Sequence, residues 1–371
     1  MAEKTGERKG DHIRICLGDQ AQAKKVTTGF EDIQLVHHAL PEINKDKIEL
    51  STDFLGKHFQ APIIVGAMTG GTPEAIAINT AIAEAVEKLG LGMGLGSQRA
   101  AIENQNLEKT YSIAREKAPN AFLIANLGGI QLVYGYGLKE VKRIVEMIDA
   151  DAVAIHLNAL QEAIQPEGQT KFKGVLSKIA QIASGIKQPV IVKETGAGIS
   201  AEDAKLLENA GVKAIDVGGV GGTSFAAVEY HRTSKNTGDV HNFLGEAFWD
   251  WGIPTAVSLI ETSQTVNLEL IASGGIRSGT DIAKALVLNA SLASISQPIL
   301  QTAIKGKEET EKRLSCLIEE LRNVMFLVGA EKISDLTNTP VVITGKTAEW
   351  LQARGFNLQK YAKRGRHEFG H

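Results

Sequence analysis

AVAIHLNALQE, residues 152–162, opens as a strand and closes as a cluster of polar groups. Val153, Ile155 and Leu157 alternate with Ala152, Ala154, His156 and Asn158, the period of a short buried strand. His156 and Asn158 share one face, and Gln161 and Glu162 follow just past the strand end. Parallel α/β proteins keep their chemistry at that end of the strand. A lone strand histidine is as a rule a satisfied core residue. Four polar groups close together are a different matter, because each costs about 1–3 kcal/mol if buried unpaired. The cluster implies a polar ligand.

Outward from this stretch the same unit repeats. Apolar, β-rich runs occur at 62–67, 91–96, 121–127, 152–157, 189–194, 214–219, 268–275 and 292–296. Helical patterns rich in Ala, Glu, Lys and Ile lie between most of them, at 74–89, 138–148, 175–186, 201–210 and 280–288. Strand–helix alternation specifies right-handed βαβ units and a parallel sheet. About eight repeats fit a closed (β/α)8 TIM barrel better than an open doubly wound sheet.

We divide the α/β chain into an N-terminal arm with a strand pair (1–60), the barrel (61–330) and a C-terminal extension and tail (331–371). The arm opens with the charges Arg8, Lys9, Asp11, His12 and Arg14, the pattern of a solvated end, and 33–36 with 48–50 reads as the strand pair. One interval, between the strands near Ile215 and Leu270, is too long and carries HRTSKNTGDVHN (231–242). That segment is either an active-site lid or a surface loop. Residues 308–328 read as a closing helix, TPVVITGK as a turn, and KRGRHEFGH as a frayed tail.

Composition narrows the class. The chain has 371 residues, is 43% hydrophobic and 22% charged, and carries a net charge of −3. That is ordinary for a globular protein and gives no argument for nucleic acid or an acidic membrane as partner. Cys16 and Cys316 stand far apart in no metal spacing, which suits a reducing compartment. The start, MAEKTGERKGDH, has no apolar core of a signal peptide, and no run approaches the ~18 apolar residues of a membrane span. The expectation is a cytoplasmic protein.

Many of the 38 glycines gather at strand ends, several as pairs: MTGG (68–71), GSQR (96–99), ANLG (125–128), GGTS (221–224) and GGIRSG (274–279). Glycine lets a flat or anionic ligand approach the backbone, while Ser, Thr, Asn and Gln hydrogen-bond a planar polar ring. GGIRSG follows the seventh strand and precedes a helix near Thr280, where barrels bind phosphate. Lys193, on the fifth strand, either pairs with a barrel carboxylate or places a cation in the mouth, where it suits the pyrimidine edge of a reduced flavin. A phosphate cup with rings of amide and hydroxyl donors suggests FMN. No G-x-G-x-x-G follows a strand, which disfavours a Rossmann-bound NAD or FAD.

The ordered set Arg8-Lys9, MTGG, GSQR, ANLG, HLNALQE (156–162), VKETGAGIS (192–200), GGTS and GGIRSG resembles the type 2 isopentenyl diphosphate isomerases over nearly the whole chain. The resemblance implies an FMN-dependent barrel enzyme that interconverts isopentenyl and dimethylallyl diphosphate. It implies a flavin reduced by NAD(P)H, Mg2+, and a homo-oligomer, tetramer or octamer. It places Ala67, Met68, Thr69, Ser97, Asn126, Lys193, Thr223, Gly275, Arg277 and Ser296 at FMN. Arg8, Lys9, Arg99, His156, Asn158, Gln161 and Thr195 fall to the diphosphate substrate. Gln161, His156 and Asn158 are the catalytic candidates, and Glu162 takes Mg2+, an ion that needs few carboxylates beside a phosphate. Thr195, Phe225 and the eighth-strand segment NASLASISQP (289–298) depart from the usual pattern, the last at Ser296 and Gln297.

Rival readings lack their residues. A hydroxy-acid oxidase needs a histidine and an arginine after the sixth strand, where this chain has DVGGVGGTS. A nucleotide-oxidising barrel needs a cysteine there, where Ser224 and Phe225 stand. A non-catalytic flavin- or phosphate-binding barrel has no use for Glu162 beside its ligand.

Overall fold

The computed structural model describes residues 2–233 and 240–365, with side chains from residue 8 onward. Its centre is a closed barrel of eight parallel strands. These are β4 (Ile63–Val65), β5 (Gly92–Gly94), β6 (Phe122–Gly128), β7 (Ala152–Leu157), β8 (Val190–Glu194), β9 (Ala214–Asp216), β10 (Glu269–Ala272) and β11 (Leu292–Ile295). Register Ala293↔Ile63 between β11 and β4 closes the ring. The strands are apolar on both faces because the barrel interior and the surrounding helices bury both. Each expected strand run holds one barrel strand.

The ends of the chain differ from expectation. The pair expected from 33–36 and 48–50 does not form. Instead β1 (Ile33–Leu35) pairs antiparallel with β12 (Val341–Ile343), inside the segment expected to be a turn. A separate hairpin joins β2 (Thr52–Phe54) to β3 (Lys57–Phe59). Leu55 (φ 48°) and Gly56 (φ 80°) make its two-residue connection, whose left-handed backbone matches strand twist. Phe54 and Phe59 from this hairpin pack on Phe122, Ile64 and Ile271 and plug the barrel floor.

The charged opening is not a solvated end. Ala2–Leu17 is a helix that packs against the helices Phe225–Thr233, Arg99–Glu103 and Gln297–Ala303. Its Ile13, Ile15, Cys16 and Leu17 supply the apolar contacts. Among the described residues, the long interval holds three helices, Phe225–Thr233, Val240–Ala247 and Thr255–Thr265. The first two pack on each other and on the short helix Ala159–Ile164 that carries Gln161 and Glu162. Residues 234–239 of the expected lid or loop, and the last six of the tail, lie outside the described residues.

After the barrel, the helix Lys307–Leu327 packs on Gly279–Val287 and Glu74–Leu89. Helix Gly345–Ala353 is fastened beyond it: Trp350 Nε1 and Arg354 Nε each donate to the buried Glu261 carboxylate at 3.0 Å. Among the described residues, no helix is long and apolar enough to cross a membrane.

Candidate active site

The C-terminal ends of the barrel strands surround a cavity of about 280 Å3, roofed by the helix Ala2–Leu17. It is lined by Arg8, Lys9, Ala67, Met68, Thr69, Ser97, Arg99, Asn126, His156, Asn158, Gln161, Glu162, Lys193, Thr195, Thr223, Gly275, Arg277 and Ser296. Every residue singled out from the sequence therefore reaches one space. Strand direction explains all but two of them, since in a parallel barrel all eight C-terminal ends open on the same face, and the roof helix brings Arg8 and Lys9.

On the β7 side, His156 Nδ1 lies 2.9 Å from Asn126 Oδ1. Asn126 Nδ2 donates to Leu95 O at 2.9 Å, which leaves Oδ1 as acceptor, so the Nδ1–H of His156 donates to it. Burial, with the charges of Lys193 and Lys9, holds the imidazole pKa down at about 3. The ring is neutral, and Nε2 keeps its lone pair. Gly128 makes room for it, since a Cβ there would stand 3.0 Å from Nε2.

Beyond the strand end, Asn158 Nδ2 donates to Gln161 Oε1 and to Glu162 Oε1, both at 3.1 Å. Gln165 Nε2 (2.6 Å) and the Gln169 N–H (2.7 Å) donate to Glu162 Oε2. Glu162 is thus a buried carboxylate held by amides, with no cation in its ion-pair distance among the described residues. Asn158 Oδ1 and Gln165 Oε1 are buried with no hydrogen-bond partner. Hard oxygens left over beside a carboxylate are the donor set that a Mg2+ ion takes. The residues fit such an ion.

The flavin candidates are spread round the mouth, with Asn126 on β6 and Lys193 on β8 flanking His156 and the rest on the loops after β4, β5, β9, β10 and β11. Thr69 Oγ1 is buried without a partner. Gly222 and Gly275 approach so closely that a Cβ on Gly222 would meet the Gly275 nitrogen at 2.5 Å. Lys193 Nζ donates to Glu194 O at 2.8 Å and lines the cavity without a carboxylate partner among the described residues. A cradle of glycines with an orphaned hydroxyl and a cation suits a flat polar ring. The helix Gly279–Val287 does not itself offer an anion site. Asp281 Oδ2 accepts from the Arg277 and Ser278 N–H groups, and Glu320 accepts from Gly279. That leaves the loop before the helix, and Ser296, as the candidate positions for a phosphate.

The roof is bound tightly. Lys9 Nζ donates to Gly70 O (2.8 Å), Ser97 O (2.6 Å) and Tyr111 Oη (2.6 Å). Burial and the charges of Arg8 and Arg99 push its pKa down to about 7. Arg8 reaches Glu167 at 3.7 Å, and Arg99 Nε donates to Glu103 at 2.7 Å. Thr195 Oγ1 donates to Leu157 O at 3.3 Å, tying the β8 loop to β7.

Several residues were missed. Glu229, fully buried on the inserted helix, accepts from Gln161 Nε2 (3.0 Å), His12 Nε2 (3.0 Å) and Arg232 Nε (2.6 Å). Against the cost of burial, these partners hold its carboxyl at about 2. Gln165, Tyr111 and Gln22 likewise support site residues, and no spacing in the sequence marks them. Only Glu194 had a signal, lying beside Lys193. Its Oε2 accepts from the Thr195, Gly196 and Ala197 N–H groups, while burial pushes its pKa up to about 7.

A (β/α)8 mouth lined by close-set glycines, unpartnered polar groups and a cation defines a class, and comparison with known proteins meets it. The FMN-dependent dehydrogenase family pattern matches residues 2–123 and 141–343. Solved structures share the fold at low identity. A flavocytochrome b2 with sulfite bound gives a TM-score of 0.66 at 18% identity, covering 94% of this chain and 85% of that one. A mandelate oxidase with (S)-mandelic acid gives 0.61 at 17%, covering 93% and 98%. Closer in sequence is an isopentenyl-diphosphate delta-isomerase of Methanosarcina mazei, 52% identical over 359 residues, 97% of this chain and 98% of that protein. One from Pyrococcus furiosus is 48% identical over 97% and 92%. The chain belongs to the isopentenyl-diphosphate delta-isomerases, enzymes within the FMN-dependent dehydrogenase family.

Proposed function

We propose that this enzyme interconverts isopentenyl diphosphate and dimethylallyl diphosphate by allylic proton transfer, with reduced FMN and Mg2+, in the cytoplasm. NAD(P)H is the proposed reductant of the flavin. The observation that carries the reading is Glu162, a buried carboxylate ringed by amides with two unpartnered oxygens beside it. An oxidase of 2-hydroxy acids has no need of it. The names of relatives at about half identity support the same reaction.

In this reading Arg99 and Arg8 bind the diphosphate, Arg99 through the planar fork that suits phosphate oxygens. Glu162 would hold Mg2+, which would offset the charge of the diphosphate. His156 accepts a hydrogen bond at Nε2 and stays uncharged beside the ligand. Gln161, fixed by Glu229 on one side and Asn158 on the other, has one amide hydrogen left to orient the reacting group. Reduced FMN, when bound, would supply the acid–base group that an unactivated alkene requires. The helix Ala2–Leu17 excludes water from above.

The test is anaerobic incubation with isopentenyl diphosphate, FMN and Mg2+ in deuterated water, with and without dithionite. Deuterated dimethylallyl diphosphate formed only in the reduced sample is expected. Flavin bound without product in either sample rejects the isomerase reading and returns the chain to oxidoreductase chemistry.

A further inference from the structure

The segment between the roof helix and β1 carries no motif, yet it closes the cavity where the strands β9, β10 and β11 end. Its backbone is fastened twice to the β9 loop: the Ala23 N–H donates to Gly222 O at 2.9 Å, and the Ser224 N–H donates to Ala21 O at 2.8 Å. Trp249 Nε1 donates to Gln22 O at 2.9 Å. Farther round the rim, Gln301 Nε2 donates to Leu17 O (3.0 Å) and Gln297 Nε2 to Asp19 (3.3 Å), on the helix that follows β11. The segment is a strap across three consecutive strand ends.

One side chain of the strap points at the candidate cofactor residues. Gln22 Nε2 donates to Thr223 Oγ1 at 3.2 Å, and Gln22 Oε1 accepts from Arg277 Nη2. The amide has only one orientation here, because a guanidinium can donate but not accept. Arg277 lines the cavity, and Gln22 engages one arm of its fork. The loop backbone under it is also held, by Arg313 Nη2 on Arg277 O and by Asp281 on the Arg277 N–H. Arg277 is therefore preset rather than free to swing. A preset planar cation, beside glycines and just ahead of a helix start whose N–H groups are already taken, is what recognises a phosphate monoester.

We propose that Gln22 is a positioning residue for the cofactor: it orients Arg277 toward the phosphate of the flavin and so sets the preference for FMN over riboflavin. The inference rests on the reading that the cavity takes FMN with its phosphate at the β10 and β11 ends. Because the strap is held by main-chain bonds, removing the Gln22 amide leaves its path intact.

The experiment titrates the full-length apoprotein with FMN and separately with riboflavin, following flavin fluorescence. Wild type should prefer FMN. Gln22→Ala should lose roughly tenfold in FMN affinity, the scale of one charge-assisted hydrogen bond, and keep its riboflavin affinity. Gln22→Glu should reduce the FMN preference as well, since its carboxylate competes with the phosphate for Arg277. In an Arg277→Ala background, Gln22→Ala should change the preference no further. Equal weakening of both flavins, or an unchanged preference in both Gln22 variants, overturns the role of Gln22 while leaving the FMN site standing. A wild-type protein that binds both flavins equally overturns the phosphate reading itself, and the inference with it.

Discussion

His156 shows how much a single position depends on its surroundings. An exposed histidine titrates near ~6.5. Here burial and two nearby lysines hold the value at about 3. Below about pH 6.5 the unfolded chain takes up a proton that the folded chain refuses, so stability falls as pH drops from there toward 3 and is fully present above it. Histidine-ring 15N shifts followed from about pH 7 to about pH 5 should therefore keep Nε2 of His156 unprotonated. A midpoint near 6 would remove its assignment as a neutral acceptor. Glu162 gives the second prediction at this scale. Glu162→Gln keeps the shape of the amide cluster but removes the charge, so turnover should fall at least ~100-fold and lose its dependence on added Mg2+, with FMN still bound. Turnover within a factor of two of wild type would take Glu162 out of the mechanism. His156, Asn158, Gln161 and Glu162 were legible because one strand end carries them all. Glu229 was not, because the partners that tie it to the cavity, Gln161 and His12, stand 68 and 217 residues away in the chain.

Among the elements, the β2–β3 hairpin is the clearest case of tertiary context overriding local pattern. Residues 52–59 carry charges, and Leu-Gly is not a strong turn signal, so nothing local marks a hairpin. The strands exist because Phe54 and Phe59 fill the barrel floor against Phe122, with ring centroids 5.8 and 5.5 Å away. Phe54→Ala should cost about 3–5 kcal/mol in urea unfolding and leave flavin affinity unchanged, since floor and mouth lie at opposite barrel ends. A loss of flavin binding in the still-folded variant would mean that the floor sets the geometry of the mouth. The helix Ala2–Leu17 follows the same logic from the other side: its charges read as solvent-facing until Lys9 meets three acceptors on the β4 and β5 loops and on Tyr111.

At the scale of the molecule, the segments that flank the barrel are fastened to each other and to it. β1 pairs with β12 across some three hundred residues, and Arg354 ties the last helices to Glu261. Arg354→Met should lower stability by about 1.5–3 kcal/mol, because Glu261 keeps only Trp350 Nε1 and the Ala201 N–H as donors. Calorimetry showing an unchanged melting temperature would mean that solvent replaces the guanidinium at no cost. The sequence by itself determined the barrel, since eight apolar runs alternating with amphipathic helices bury their faces in few other ways. It also set most of the candidate site residues round one cavity, since parallel strands bring their C-terminal ends to one mouth. Only the tertiary structure decided the floor, the roof, the strap and the β1–β12 pair. Those rest on contacts between distant segments, where each partner is unremarkable until the other is placed beside it.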